Sequence, residues 1–322
     1  MNLMQLIRTR LNEGTDYQAI LSEVQANSPK PQNWRLSHII HIHNVMRGTI
    51  TERRTHQSTT TIETSNGTFD FDPRAKFGIE LELTSPMNMT QLAAKLTRNG
   101  VETVDESYNH DTRHHWKLTT DGSVNSHKSG YMPMELVSPI LKGYEALEQI
   151  KKVCAVLENI GCEVNASCGY HVHHDCVNQD GVKDFKVGAY AVAIYKKWQY
   201  KFSSMLPRSR RNGHYCKPSS SSEVESAVRY NAPARNRYRA VNLQSYARHG
   251  TVEFRQHSGT VNADKIINWI KITQAVVTKA KNVLAENKDI LSYDFGRFTN
   301  SLNLNNDLVT YVNERIQYFA AA

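Results

Sequence analysis

In the run Phe77-Gly78-Ile79-Glu80-Leu81-Glu82-Leu83, two glutamates stand two residues apart. Side chains on a strand alternate faces, so Glu80 and Glu82 share one face and Ile79, Leu81 and Leu83 take the other. Two adjacent carboxylates repel, and one pKa rises unless a cation lies between them. A hard dication such as Mg²⁺ takes oxygen ligands and resolves that conflict. Read alone, the run also fits the solvent-facing edge of an ordinary strand. Three later runs repeat the design. Tyr131 to Pro139 places Glu135 in an apolar, strand-like stretch. Cys168 to Asp175 places His171 and His173 on one face. Thr251 to His257 places Glu253 beside Arg255, opposite Val252 and Phe254. Four such strands would line one sheet face with carboxylates, imidazoles and a guanidinium, which suits a polar, metal-holding concavity and not a core.

The elements that position these runs are legible from periodicity. Leu3, Leu6 and Ile7 share helical spacing, and Asp16 caps a helix carrying Ile20, Leu21 and Val24. Pro29 and Pro31 interrupt, and a second amphipathic run follows through Leu36, Ile39, Ile40 and Val45. His38 and His41 share a face of that helix and His43 turns away, so the three read as surface or interface residues. Residues 1–47 form a small helical module. Residues 48–68, rich in Thr, Ser and Gly, read as a linker or an exposed hairpin. The main domain spans 69–322. In it we expect helices over Thr90–Asn99 with Thr90 as N-cap, Tyr144–Ile160 stopped by Gly161, Asp184–Met205, Ala263–Leu284 after Asn262, and a last one from Asp307. Trp116–Val124 reads as strand then turn. Long helices between alternating strands indicate an α+β fold with helices packed on one face of the sheet.

The chain has 322 residues, 39% hydrophobic and 22% charged, enough for a sizeable core. We expect no transmembrane helix and no signal peptide. The five cysteines, Cys154, Cys162, Cys168, Cys176 and Cys216, include no C-x-x-C pair, so a disulfide framework or zinc ribbon is not expected and a cytoplasmic location fits. Cys154 lies on an apolar helix face. Net charge is +8, but between Lys196 and Ala240 eleven basic residues meet two acids, which leaves −1 for the rest. A local excess of this kind implies a local polyanion such as nucleotide phosphate or an acidic substrate. It does not imply nucleic acid as the main partner, because the excess is confined to one stretch.

Taken in order, Glu-x-Glu, Glu-Leu-Val-Ser-Pro (Glu135–Pro139), Gly-Tyr-His-Val-His (Gly169–His173) and Thr-Val-Glu-Phe-Arg (Thr251–Arg255) resemble the amidoligase family, within the glutamine synthetase and glutamate–cysteine ligase superfamily. The resemblance covers about Phe77 to Ile270. It implies a curved, mainly antiparallel sheet of glutamine-synthetase-like type and an ATP-dependent ligase that joins a carboxylate to an amine through an acyl phosphate. Phosphoryl transfer of this kind needs divalent ions, Mg²⁺ or Mn²⁺, and cations that neutralise developing charge. On the resemblance, Glu80, Glu82, Glu135, Glu253 and His171 hold metal, and His173 meets nucleotide phosphate. Arg255 steadies the transferring phosphoryl group, with Glu253 and Arg239 counted in the catalytic set. Arg237 and Arg239 touch phosphate or the substrate carboxylate. Asp121 in Thr-Asp-Gly-Ser, with Arg211 and Tyr215 in the Ser-rich loop, are candidates for substrate contact. The expected partners are small-molecule or peptide carboxylates and amines, with the amine donor open; an oligomer is compatible with the sequence.

Two departures and three alternatives belong beside this reading. There is no Gly-rich Walker loop, so nucleotide must be held by the sheet face and the basic segment. The chain is also short against glutamine synthetase. His171-x-His173-x-Asp175 fits the H-x-H-x-D pattern of zinc hydrolases, although Cys176 stands where that pattern continues with His, and zinc favours N and S ligands over a carboxylate cage. An ATP-dependent phosphotransferase and a non-catalytic binding protein on the same fold remain open at this level.

Overall fold

The computed structural model describes residues 3–28, 31, 39 and 62–320. The chain divides into two compact units, residues 1–59 and 60–322. In the first unit, α1 (Leu3–Asn12) and α2 (Tyr17–Asn27) pack Leu6, Ile7 and Leu11 against Ile20, Leu21 and Val24, with Ile39 added. Asp16 caps α2 as its residue type suggests, accepting from the backbone N–H of Gln18 and Ala19. The remaining run through Leu36, Ile40 and Val45, the histidines His38, His41 and His43, and residues 48–61 lie outside the described residues.

The second unit is built on one open sheet. Its strands are β1 (Phe77–Ser85), β2 (Thr103–Asp105), β3 (Trp116–Thr119), β4 (Met132–Val137), β5 (Gly169–Asp175), β6 (Val241–Asn242) and β7 (Thr251–Ser258), in the order β2-β3-β4-β1-β5-β7-β6. Every pairing is antiparallel except β2 with β3. With the helices this is an α+β architecture. The longer helices are α3 (Met89–Arg98), α4 (Gly143–Ile160), α5 (Phe185–Lys197), α6 (Ser221–Tyr230), α7 (Ala263–Ala285) and α8 (Asn306–Ala320).

Alternation does what the sequence predicts. Phe77, Ile79, Leu81 and Leu83 of β1, Leu118 of β3, Met134 and Leu136 of β4, and Val172 of β5 join one core with Ile150, Val153, Ile194, Ile270 and Val276 from the helices. The Tyr170 hydroxyl donates to Ile266 O of α7, 3.1 Å away, so a polar tip inside this core is satisfied. Helix punctuation is as expected at Gly161, whose φ of +83° stops α4, and at Asn262, which accepts from Lys265 N to start α7.

Three local expectations change. Asn88, and not Thr90, caps α3 through a reciprocal box with Gln91; Thr90 instead donates to Asp105 at 2.7 Å. The helix expected over Asp184–Met205 breaks at Trp198 and resumes over Gln199–Ser204. In an unbroken helix Tyr195 and Phe202, two turns apart, would stand about 10 Å apart along the axis; the break lets their rings stack at 3.9 Å. The stretch 62–68 is an integral part of the second unit. Glu63 pairs with Lys201, Glu63 N donates to Asn313 Oδ1, and Phe69 N donates to Asn303 O. Gly67 passes so close to the Asn303 carbonyl that any Cβ would fall 2.2 to 2.3 Å from its C and O atoms, which leaves room for glycine alone.

Candidate functional site

Because β1 lies between β4 and β5, the register brings the separate motifs side by side. Glu82 stands opposite Glu135, Glu80 opposite His171, and His173 opposite Glu253. Asn242 of β6 completes the row beyond Glu253 and donates to its Oε2 at 2.8 Å. All of these side chains occupy the face away from the helical core.

His171 is the hub. Its Nδ1 lies 3.0 Å from Glu80 and 3.7 Å from Glu253, and its Nε2 lies 3.5 Å from Glu82. His173 Nε2 approaches Glu80 at 3.2 Å and Glu253 at 3.9 Å. Arg255 Nη1 donates to Glu253. At this site three groups of described residues have ligand atoms close enough to share an ion: Glu80, His173 and Glu253; Glu80, Glu135 and His171; and Glu82, Asp121 and Glu135. His173, expected at phosphate, thus sits within one trio, and Asp121 within another. Asp121 also accepts from Ser123 N and Oγ at 2.6 Å, which fixes its turn.

Electrostatics favours a cation among these groups. Burial, followed by repulsion from Glu80, Glu82 and Asp121, pushes the Glu135 carboxyl well above the usual carboxylate range. Burial also acts to raise Glu80, yet the neighbouring His173 and His171 outweigh it and hold Glu80 well below the range. Burial works to lower His173, but the Glu80 and Glu253 carboxylates together outweigh it and raise it. Two buried donors point into the cluster without a partner among the described residues: Arg255 Nε, and Thr119 Oγ1 on the residue opposite Glu135. An oxygen-rich donor set with two imidazoles, repelling carboxylates and unused donors fits hard divalent ions with a phosphate-bearing ligand.

A cavity of about 450 Å³ opens onto this face, lined among others by Glu80, Glu135, Asp121, His171, His173 and Arg255. Its rim carries Lys76, Lys183, Arg237 and Arg248, none paired with a carboxylate among the described residues. A carboxylate floor beneath a cationic rim suits a polyanion that arrives with divalent ions.

Not every candidate reaches the cavity. Arg239 is paired with Glu223, Nε to Oε1 at 3.0 Å, and does not line it. Arg211 turns outward to Leu206 O and Phe319 O, and Tyr215 lies against His214 and Tyr238. In the short helix Arg208–Arg211 consecutive residues point about 100° apart, and the inward position belongs to Arg210. Arg210 is 5% exposed and donates to the carbonyls of Arg255 and Gln256. Gly169 is glycine for a related reason: a Cβ there would stand 2.9 Å from both Arg210 and His171, while its N–H donates to Glu82 at 2.6 Å. Buried Lys117, lining the cavity, is a further residue that period-two reasoning passed over. Asp175 lines the cavity but belongs to none of the three metal-capable groups at the site, and Cys176 turns its sulfur toward α5, 2.9 Å from where a Cβ on Gly188 would lie.

The sequence matches the family described as "Putative amidoligase enzyme" over residues 73–234 and 228–277, which includes all four strands of the site. The chain belongs to the amidoligase family. The name denotes enzymes that are ligases and form amide bonds. None of the curated proteins matches the chain. No helix among the described residues is long and apolar enough to cross a membrane. In this amidoligase the family match and the cavity coincide: the matched segments contain Glu80, Glu82, Asp121, Glu135, His171, His173, Glu253 and Arg255.

Proposed function

We propose that the protein is an ATP- and Mg²⁺-dependent carboxylate–amine ligase of glutamine-synthetase-like type, forming an amide or isopeptide bond between small-molecule or peptide substrates. The observation that carries this reading is the convergence of five carboxylates and two histidines in three adjoining metal-capable groups beneath a cationic rim. ATP bound with two divalent ions would supply the phosphoryl group that activates the carboxylate for attack by an amine.

The chain's own residues then have defined tasks. Glu80, Glu253 and His173 form one ligand set, and Glu82, Glu135 and Asp121 the other. His171, in contact with three of the carboxylates, sets their orientation or joins them as a ligand. Glu253 fixes the Arg255 guanidinium in a position from which it meets phosphoryl oxygens across the cavity. Arg237 and the other rim cations meet the outer phosphates. Glu82, Glu135, His171, Glu253 and Arg255 are all at most 7% exposed, so an activated carboxylate at this depth is shielded from water. The test is ADP release from Mg·ATP over a panel of carboxylates and amines, with mass spectrometry of the products. We expect ADP and a condensed product to appear only when both substrates are present. ATP hydrolysis that is indifferent to every carboxylate, or hydrolytic activity with two tightly held zinc ions, would overturn the ligase reading.

A further inference from the structure

Part of the cavity lip has no role in metal or phosphate binding and is chemically different. Tyr108 and Ile140 line the cavity while remaining 53% and 62% exposed, so both present large side chains to whatever enters a charged site. They belong to one lip. Lys117 on β3 stands opposite Val137 on β4, and its Nζ donates to Asn109 O, Asn109 Oδ1 and Asp111 O, each at 2.9 Å. This holds the loop that carries Tyr108 next to the Val137–Ile140 exit of β4. The base of the loop is fixed as well, because Glu106 accepts from Arg113 at 3.0 Å and lies 2.8 Å from His115. The Tyr108 ring is braced edge-on by His110, with centroids 5.0 Å apart. The result is a pre-ordered aromatic and aliphatic platform adjoining a polyanion site.

We propose that this lip is the nucleobase subsite of the cavity, with Tyr108 and Ile140 covering the faces of a base whose triphosphate runs toward the carboxylate floor. The inference rests on the metal–ATP reading given above. A planar base satisfies the lip because every base has a π face that stacks on an aromatic ring whatever its hydrogen-bonding edge. Tyr108 and Ile140 are the large, exposed, uncharged side chains of the cavity lining, whereas Lys76, Lys183, Arg237 and Arg248 suit the phosphates.

The test compares Mg·ATP with Mg·tripolyphosphate, which keeps the phosphate chain and lacks the base, by calorimetry on the intact protein. Wild type should bind Mg·ATP about tenfold or more tighter. Tyr108→Ala and Ile140→Ser should each remove most of that preference and leave tripolyphosphate affinity unchanged. Both residues are solvent-exposed, so an unchanged melting temperature verifies folding of each variant. If wild type prefers ATP and both variants keep the preference, the base lies elsewhere and the proposal fails. If wild type binds the two ligands equally, there is no base subsite, and the proposal fails while the triphosphate site stands. If neither ligand binds, the ATP reading itself fails and takes the proposal with it.

Discussion

His173 and His174 are neighbours in the chain and opposites in the fold. His173 faces the carboxylate cluster, where the Glu80 and Glu253 carboxylates together overcome burial and raise its pKa. His174 faces the helical core, packed edge-on to Phe254 and bonded through Nε2 to Thr273 at 2.8 Å, and burial pushes it down to about 3. His173 is the shallower of the two, its side chain 16% exposed where His174 is 1% exposed. What also separates them is whether the opposite wall carries charge. The same contrast holds for the whole sheet. Its core face is apolar and pairs several of its polar atoms locally, as with Tyr170 and Ile266 or Tyr195 and Gln256. Its open face gathers Glu80, Glu82, Glu135 and Glu253, which repel one another in the absence of a cation. One face is built for stability, and the other gives up stability for a task.

The sharpest way to break this comparison is to neutralise the open face. Glu80→Gln with Glu82→Gln should reduce ATP-dependent turnover by about 10³-fold or more, since ligands of both ion positions are lost. In metal-free buffer the melting temperature should fall only slightly, because the pairs Glu80 makes with His171 and His173 are lost while repulsion on Glu135 is relieved. A strongly lowered melting temperature would assign these glutamates to the scaffold and remove the contrast between faces.

Arg255→Lys tests the same face more finely. The charge stays, but the planar fork that meets Glu253 on one side and the cavity on the other is lost. Turnover should fall by roughly 10²-fold with ATP affinity changed much less. Unchanged turnover with collapsed ATP affinity would make Arg255 a ground-state anchor for the nucleotide.

The histidine pair gives the smallest and cleanest effect. His173→Gln should weaken Mn²⁺ binding by about tenfold and leave the melting temperature alone, while His174→Phe should do the reverse. The pH dependence follows from His174. Unfolded, its imidazole takes a proton from about pH 6.5 downward; folded, it resists until about 3. The unfolded state therefore binds more protons across that window, and stability falls as pH drops through it, by up to about 1.4 kcal/mol per unit from this group. His257, also pushed down to about 3, adds the same slope. His174→Phe should halve the pH sensitivity of the melting temperature that the two histidines share, and an unaltered profile would show that His174 is not held neutral in the core.

Much of this was legible in the residues. Period-two alternation placed Glu80, Glu82, His171, His173, Glu253 and Arg255 on single strand faces, and capping chemistry placed α2, α4 and α7. These are local properties, set by the backbone and by the nearest few side chains. The partners were not local. Which strand lies beside β1, and therefore that Glu82 meets Glu135 and Glu80 meets His171, depends on pairings across 53 and 91 residues. Asp121 entered one metal-capable trio only because β3 packs beside β4. Arg239 left the site because Glu223, sixteen residues earlier, reached it first. Arg210 replaced Arg211 because the direction in which a short helix docks is set by tertiary packing. The sequence by itself determined which side chains each strand offers and on which face. Only the tertiary structure decided which of them stand together, because register and docking come from burial summed over the whole chain and not from any one run of it.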